Sequence, residues 1–130
     1  MKSLSILAEA FFLGCGTIAF AQGATVTPLF QTDVADLTHQ EIVFIEVTYP
    51  PGGQSSSHRH NAYTVVYVLD GHVKMAVKGG ETQTLGPGEV FYESPDDIHS
   101  VSMNASDTEP ATILVYFLKE KGAAATEAAE

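Results

Sequence analysis

Three of the chain's five histidines, His58, His60 and His99, have the types and spacing of a shared ligand set. His58-Arg59-His60 places two imidazoles at i and i+2. On a strand, successive side chains alternate faces, so the two rings point to one side and Arg59 to the other. Arg59 is then expected to pair with an acidic residue. Neutral imidazole is the commonest side-chain metal ligand near neutral pH. An H-x-H pair also occurs as two packing or surface histidines, so the spacing alone leaves both readings open. His39 and His72 lie outside this pattern and read as surface residues. Glu93 stands six residues before His99. Turned inward, it would be a general acid/base or a partner that orients an imidazole. A glutamate near the end of a strand is more commonly solvated at a rim, and that is the expectation here. Tyr63, Tyr67 and Tyr92 either line a mouth or pack across strands. Ser57 adjoins His58, but a serine nucleophile needs a base that is not holding a metal.

The elements that must position these residues read almost entirely as strand and turn. Glu41 to Tyr49 (EIVFIEVTY) is rich in β-branched and aromatic residues and is closed by Pro50-Pro51-Gly52-Gly53. Tyr63 to Leu69 is a second strand, and Asp70-Gly71 is a hairpin signal leading into His72 to Lys78. Glu81 to Leu85, Glu89 to Glu93, His99 to Met103 and Thr112 to Lys119 complete the set, separated by Gly-rich turns. No stretch has a convincing helical period. Short strands at this spacing indicate an all-β antiparallel sandwich or barrel in one domain.

Set in this frame, the histidines gain context. Gly52 precedes His58 with five residues between, and Gly71 follows Thr64 with six between. Gly88 opens a strand, and His99 comes 11 residues after it. The stretches GGQSSSHRHNAYTVVYVLDG and GPGEVFYESPDDIHSVSMN together resemble the two sequence motifs of the cupin superfamily, over roughly residues 40 to 119. The resemblance implies a jelly-roll β-barrel, or double-stranded β-helix, with His58, His60 and His99 converging inside it on a metal ion. This chain departs from the motifs in three places. Thr64 stands where the first motif carries a glutamate, with the same facing parity as His58 and His60. Ser94 and Asp96 replace the motif's proline and glycine around Pro95. The motif asparagine falls one place late, at Asn104.

Composition limits the partners. With 16 acidic against 6 basic residues the formal charge is −10, which repels nucleic acid and anionic lipid; no nucleic-acid or membrane partner is expected. Residues 1 to 21 read as a signal peptide: Lys2 is a positive start, Ala10 to Phe20 an apolar run, and Ala19-Phe20-Ala21 a cleavage site. An N-terminal amphipathic helix and a lipid anchor at Cys15 are the alternatives. Cleavage would remove the only cysteine and leave no thiolate. The expected organisation is a signal peptide (1–21), an N-terminal strand or arm (22–38), a barrel (39–119) and a flexible Ala/Glu-rich tail (120–130).

The expectation is thus an exported, secreted or periplasmic cupin holding a divalent transition metal (Fe, Mn, Ni or Zn, with Fe(II) first) on His58, His60 and His99. The resemblance implies a metal-dependent small-molecule enzyme, a non-haem dioxygenase first, with isomerase, lyase and decarboxylase chemistry open. Thr64 and Glu93 would be its catalytic or substrate-binding side chains. A non-catalytic cupin that binds a small ligand or a metal is the alternative. Homodimerisation through residues 24 to 36 is expected from the same resemblance.

Overall fold

A computed structural model describes residues 23–130, and the expected signal segment, 1–21, lies outside the described residues. The described chain forms ten strands: β1 (Thr25–Asp33), β2 (Gln40–Tyr49), β3 (His58–Arg59), β4 (Ala62–Asp70), β5 (Val73–Val77), β6 (Gln83–Leu85), β7 (Val90–Glu93), β8 (His99–Asn104), β9 (Ala111–Glu120) and β10 (Glu127–Ala128). They build two five-stranded antiparallel sheets, ordered β1-β2-β9-β4-β7 and β10-β3-β8-β5-β6. The expected all-β jelly-roll barrel is therefore present.

Period-two burial explains the pairing. In β2, Val43, Ile45, Val47 and Tyr49 point inward, and in β9 Ala111, Ile113, Val115 and Phe117 do so. β4 adds Ala62, Val66 and Val68, β7 adds Phe91, and Val73, Met75 and Leu85 come from the facing sheet. Burying each large apolar side chain contributes about 1.5–3 kcal/mol. A register slip of one residue would turn this set to solvent, so the inner face fixes the register.

Two connections decide where the site residues go. Asp70-Gly71 has the sequence of a hairpin turn, but β4 and β5 lie in different sheets: β4 pairs with β7 and β9, β5 with β6 and β8. The turn instead carries the chain across the barrel. Both edges of β4 are already occupied, so β5 cannot add beside it. Gly71 has φ of 75°, and a Cβ there would lie 2.6 Å from the Pro110 carbonyl oxygen, so only glycine fits. The second connection is Asn61, between β3 and β4, with φ of 50°. Asparagine tolerates this left-handed geometry, and the turn takes the chain from one sheet to the other directly after His60.

The tail expected to be flexible is packed. β10 pairs with β3, placing Glu127 opposite Arg59 and Ala128 opposite His58. Thr126 is buried. Backbone hydrogen bonds, to which an Ala/Glu-rich composition gives no clue, hold it there. Arg59 faces away from the histidines as expected, yet among the described residues it makes no ion pair, and its Nε is buried without a partner.

At one end of the barrel a charged pair replaces apolar packing. Lys119 Nζ donates to Glu41 Oε1 at 2.7 Å, and both side chains are nearly covered. Gln31 Nε2 donates to Glu41 Oε2 at 2.6 Å and the Gly122 amide to Oε1 at 3.2 Å. Burial pushes the Glu41 carboxyl up, but these bonds outweigh it and hold the group below its ordinary range. The cluster joins β1, β2, β9 and the turn after β9. Removing one member of a buried pair strands the other charge. Lys119→Ala is therefore expected to destabilise the protein by about 3 kcal/mol, read as a lowered urea midpoint; a midpoint within error of the parent would show that the pair contributes nothing.

Candidate metal centre

His58 and His99 are direct cross-strand partners of β3 and β8, and His60 follows His58 on the same face. All three are buried, and one ligand atom from each lies within 4.8 Å of the others. Ring centroids are 4.7 Å apart for His58–His60 and 4.9 Å for His58–His99. Phe117 packs against His60 and Phe91 stacks on His99, closing the apolar wall around the cluster.

Hydrogen bonds behind the rings fix their tautomers. His58 Nδ1 donates to the Ser56 carbonyl at 2.7 Å, and His60 Nδ1 donates to the Ala125 carbonyl at 2.8 Å. Thr126 Oγ1 lies 3.2 Å from the same His60 nitrogen. With both Nδ1 atoms protonated, both Nε2 atoms carry lone pairs, and these face each other at 3.2 Å. Two acceptors at that distance repel unless a cation lies between them. A proton is a poor candidate. Burial pushes the His58 imidazole down, and burial together with the neighbouring rings pushes His60 and His99 down to about 3. Both nitrogens of His99 lack a hydrogen-bond partner. This donor set fits a first-row divalent metal: three neutral, buried, converging imidazoles, two of them oriented from behind by carbonyls.

Glu93 corrects the expectation of a solvated rim. It is 1 % exposed and points into the cluster. Its Oε2 lies 3.2 Å from His99 Nδ1 and 3.7 Å from His60 Nε2, yet neither carboxylate oxygen has a partner in hydrogen-bonding geometry. Burial and then the charge of Asp97 push its carboxyl up to about 8. The β7–β8 turn explains this placement. Asp97 Oδ2 accepts from the Ser94 amide at 2.7 Å and its hydroxyl at 3.0 Å, so side-chain bonds hold the turn around Pro95. Thr64 is inward and fully buried, as parity implied, but its hydroxyl donates to the Ala62 carbonyl at 3.3 Å. Tyr63, Tyr67 and Tyr92 are exposed on the outer face and line no mouth. Asn104 is structural: its Nδ2 donates to the carbonyls of Pro50 and Glu109.

Tyr49, Ser55 and Ser102 also belong to the site, although nothing in their spacing signals it. The Tyr49 hydroxyl lies 2.8 Å from Ser102 Oγ and 3.1 Å from Ser55 Oγ, beside the histidines. Together they line a cavity of about 20 Å³, room for about one water-sized particle. A larger open hollow, about 510 Å³, lies over Pro50–Ser56 and presents no titratable side chain.

The Cupin domain family matches residues 45–117, which include all three histidines. The chain belongs to the cupin family. An uncharacterised protein with a double-stranded β-helix domain from Klebsiella pneumoniae superposes with a TM-score of 0.62 at 22% identity, covering 82% of this chain and 84% of that one. A cupin-like protein from Thermotoga maritima gives 0.62 at 21% identity, with 78% and 74% covered. An oxalate oxidase in complex with glycolate gives 0.61 at 22% identity, and there the match spans 82% of this chain and 55% of the oxidase. No curated protein matches the sequence.

Burial of these groups implies a pH dependence for the metal-free protein. An unfolded histidine titrates near 6.5 and these rings titrate far lower in the fold, so their contribution is complete above pH 6.5 and lost as pH falls towards about 3. Glu93 has the opposite sign: its contribution is present below 4.5 and lost as pH rises through about 8. With chelator present, stability should peak near neutrality and fall more steeply on the acid side. Urea midpoints across pH 4.5 to 9 check this, and a flat profile would contradict it.

Proposed function

We propose that this protein is an exported metal-dependent cupin that binds one divalent transition ion through His58, His60 and His99 and acts on a small oxygen-bearing molecule. The facing Nε2 lone pairs of His58 and His60 carry the metal reading, since a buried cation relieves their repulsion. Fe(II) is the first choice for a site of imidazoles with remaining coordination positions, and Mn, Ni and Zn suit the same donors. When bound, such an ion supplies Lewis acidity and a place for oxygen ligands. The chain's own residues do the rest. Ser56 and Ala125 carbonyls aim the rings. Phe91 and Phe117 exclude water. The Tyr49 hydroxyl, with Ser55 and Ser102, offers a hydrogen bond to a ligand in the cavity.

The reaction class we favour is oxygen chemistry on a small anionic substrate, by analogy with an oxalate oxidase in complex with glycolate; the cavity as it stands holds about one water-sized particle, so such a substrate requires its walls to move. The cavity's small volume favours a second reading, in which the protein holds a metal or small ligand without turnover.

Elemental analysis of protein recovered from its export route, beside a His58→Ala/His99→Ala variant, tests the metal. About one equivalent of transition metal is expected, lost in the variant; folded, metal-free wild type would sink the proposal. Oxygen uptake by the Fe(II)-loaded protein with a panel of small carboxylates, diketones, thiols and phenols then separates the two readings, since no uptake removes the dioxygenase.

We also propose a homodimer through β1, an edge strand that leaves Leu29 and Phe30 exposed. Light scattering should give twice the chain mass, with Phe30→Asp shifting it to the monomer. A wild-type monomer would refute it.

A further inference from the structure

The glutamate missing from position 64 has a counterpart one strand away. Thr64 and Glu93 are direct antiparallel partners in β4 and β7, both inward and both fully covered. Cross-strand partners place their Cβ atoms about 5 Å apart on the same face. A carboxylate at either position therefore reaches the same level of the barrel interior. We propose that Glu93 is the fourth ligand of the centre, supplied from β7 in place of the carboxylate that the cupin motif carries on β4; the inference rests on the metal reading above.

The geometry brings the carboxylate to the edge of the histidine cluster. The His60 nitrogen that faces the cluster is fixed as Nε2 by its Nδ1 bond to Ala125, and Glu93 Oε2 is 3.7 Å from it. Two donors sharing a first-row ion at about 2.1 Å lie about 3.0–3.4 Å apart in octahedral or tetrahedral arrangement. Closing the His60 distance into that range takes a few tenths of an ångström. Full coordination also requires the carboxylate to shift toward the rest of the set, because among the described residues only the three histidines have ligand atoms all within 4.8 Å of one another. An orienting role would show a hydrogen bond from a ring to the carboxylate. None is formed: Oε2 approaches His99 Nδ1 to 3.2 Å off the hydrogen-bonding line, and all four atoms of the two groups lack partners. Unpartnered buried acceptors are costly, and a cation is the partner that satisfies several at once. Thr64 offers no competing donor of equal charge, since its hydroxyl is engaged with Ala62. The centre becomes three imidazoles and one carboxylate, and the ion's net charge falls from +2 to +1.

The test loads the full protein with Co²⁺ and reads two quantities. The first is the metal–oxygen distance at Glu93 in a crystal of the loaded wild type. A distance of about 2.0–2.2 Å is expected, and a carboxylate beyond about 3 Å overturns the inference. The second is Co²⁺ affinity by chelator competition for wild type, Glu93→Gln and the exchange Thr64→Glu/Glu93→Thr. Glu93→Gln should bind about 100-fold more weakly, and the exchange should return to within about tenfold of wild type, because either strand can deliver the ligand. Unchanged affinity in Glu93→Gln overturns the inference, as does an exchange no better than that variant. Wild type that binds Co²⁺ with Glu93 uncoordinated removes this ligand alone, and wild type that binds no metal removes the metal reading as well.

Discussion

Electrostatic repulsion between buried lone pairs is the constraint around which this barrel is arranged. His58 and His60 both spend their Nδ1 protons on backbone carbonyls, which commits both Nε2 atoms to face one another as acceptors. The unpartnered carboxylate of Glu93 and the unpartnered ring of His99 enter the same space. In water each of these atoms would be solvated. Here aromatic rings and the inner faces of both sheets exclude solvent, so the cost of leaving them unpaired is borne by folding. A fold that holds such a cluster must supply its stability elsewhere. The long β2–β9 pairing, with ten registered residue pairs from Gln40–Glu120 to Tyr49–Ala111, and the apolar inner face it presents do this.

Order at the cluster then depends on segments remote in sequence. β3 is only two residues long and sits between β8 and β10. Without β10 it would be an edge strand, held to the sheet by its single registered pair with β8. The tail supplies three things at once: ladder partners for His58 and Arg59, the carbonyl that fixes the His60 tautomer, and the Glu127 carboxylate that accepts from Asn61 at the corner. A ligand ring whose second nitrogen is held keeps its lone pair aimed, and that aiming is what separates a metal site from three loose imidazoles.

Much of this could be read from the chain because it is local. The i, i+2 spacing of His58 and His60 fixes their common face, and β2's alternation fixes its inner residues. The tyrosines were not placed: the sequence leaves Tyr63, Tyr67 and Tyr92 between a mouth and cross-strand packing, and they stand exposed on the outer face, because their parity is settled only once Thr64, Phe91 and Glu93 are known to turn inward. Glu93 was misjudged because its depth depends on long-range register. A four-residue strand gives its face but not its level, and only pairing with Thr64 places it beside the histidines. Asp70-Gly71 was misread for a similar reason. A turn signal reports a reversal, while the sheet the chain enters next is decided by which edges are already taken. The tail escaped because its hold is backbone bonds, buried Thr126 and one bond from Asn61 to Glu127, and none of these leaves a mark in composition.

A cavity site in a barrel is specified by level and face, and several strands can serve one such address. A motif, by contrast, is written along one strand. Loss of a motif residue therefore reports only that this strand no longer delivers the group. In this chain Thr64 is the lost position, and the residue opposite it is the acidic side chain most buried in the interior. The turn that follows, held by Asp97 on Ser94, keeps Glu93 and His99 in fixed relation across six residues of sequence. A change on β4 and a change on β7 are thus coupled through one pair in the ladder. The charge balance of the site follows from that pair, whichever strand carries the carboxylate.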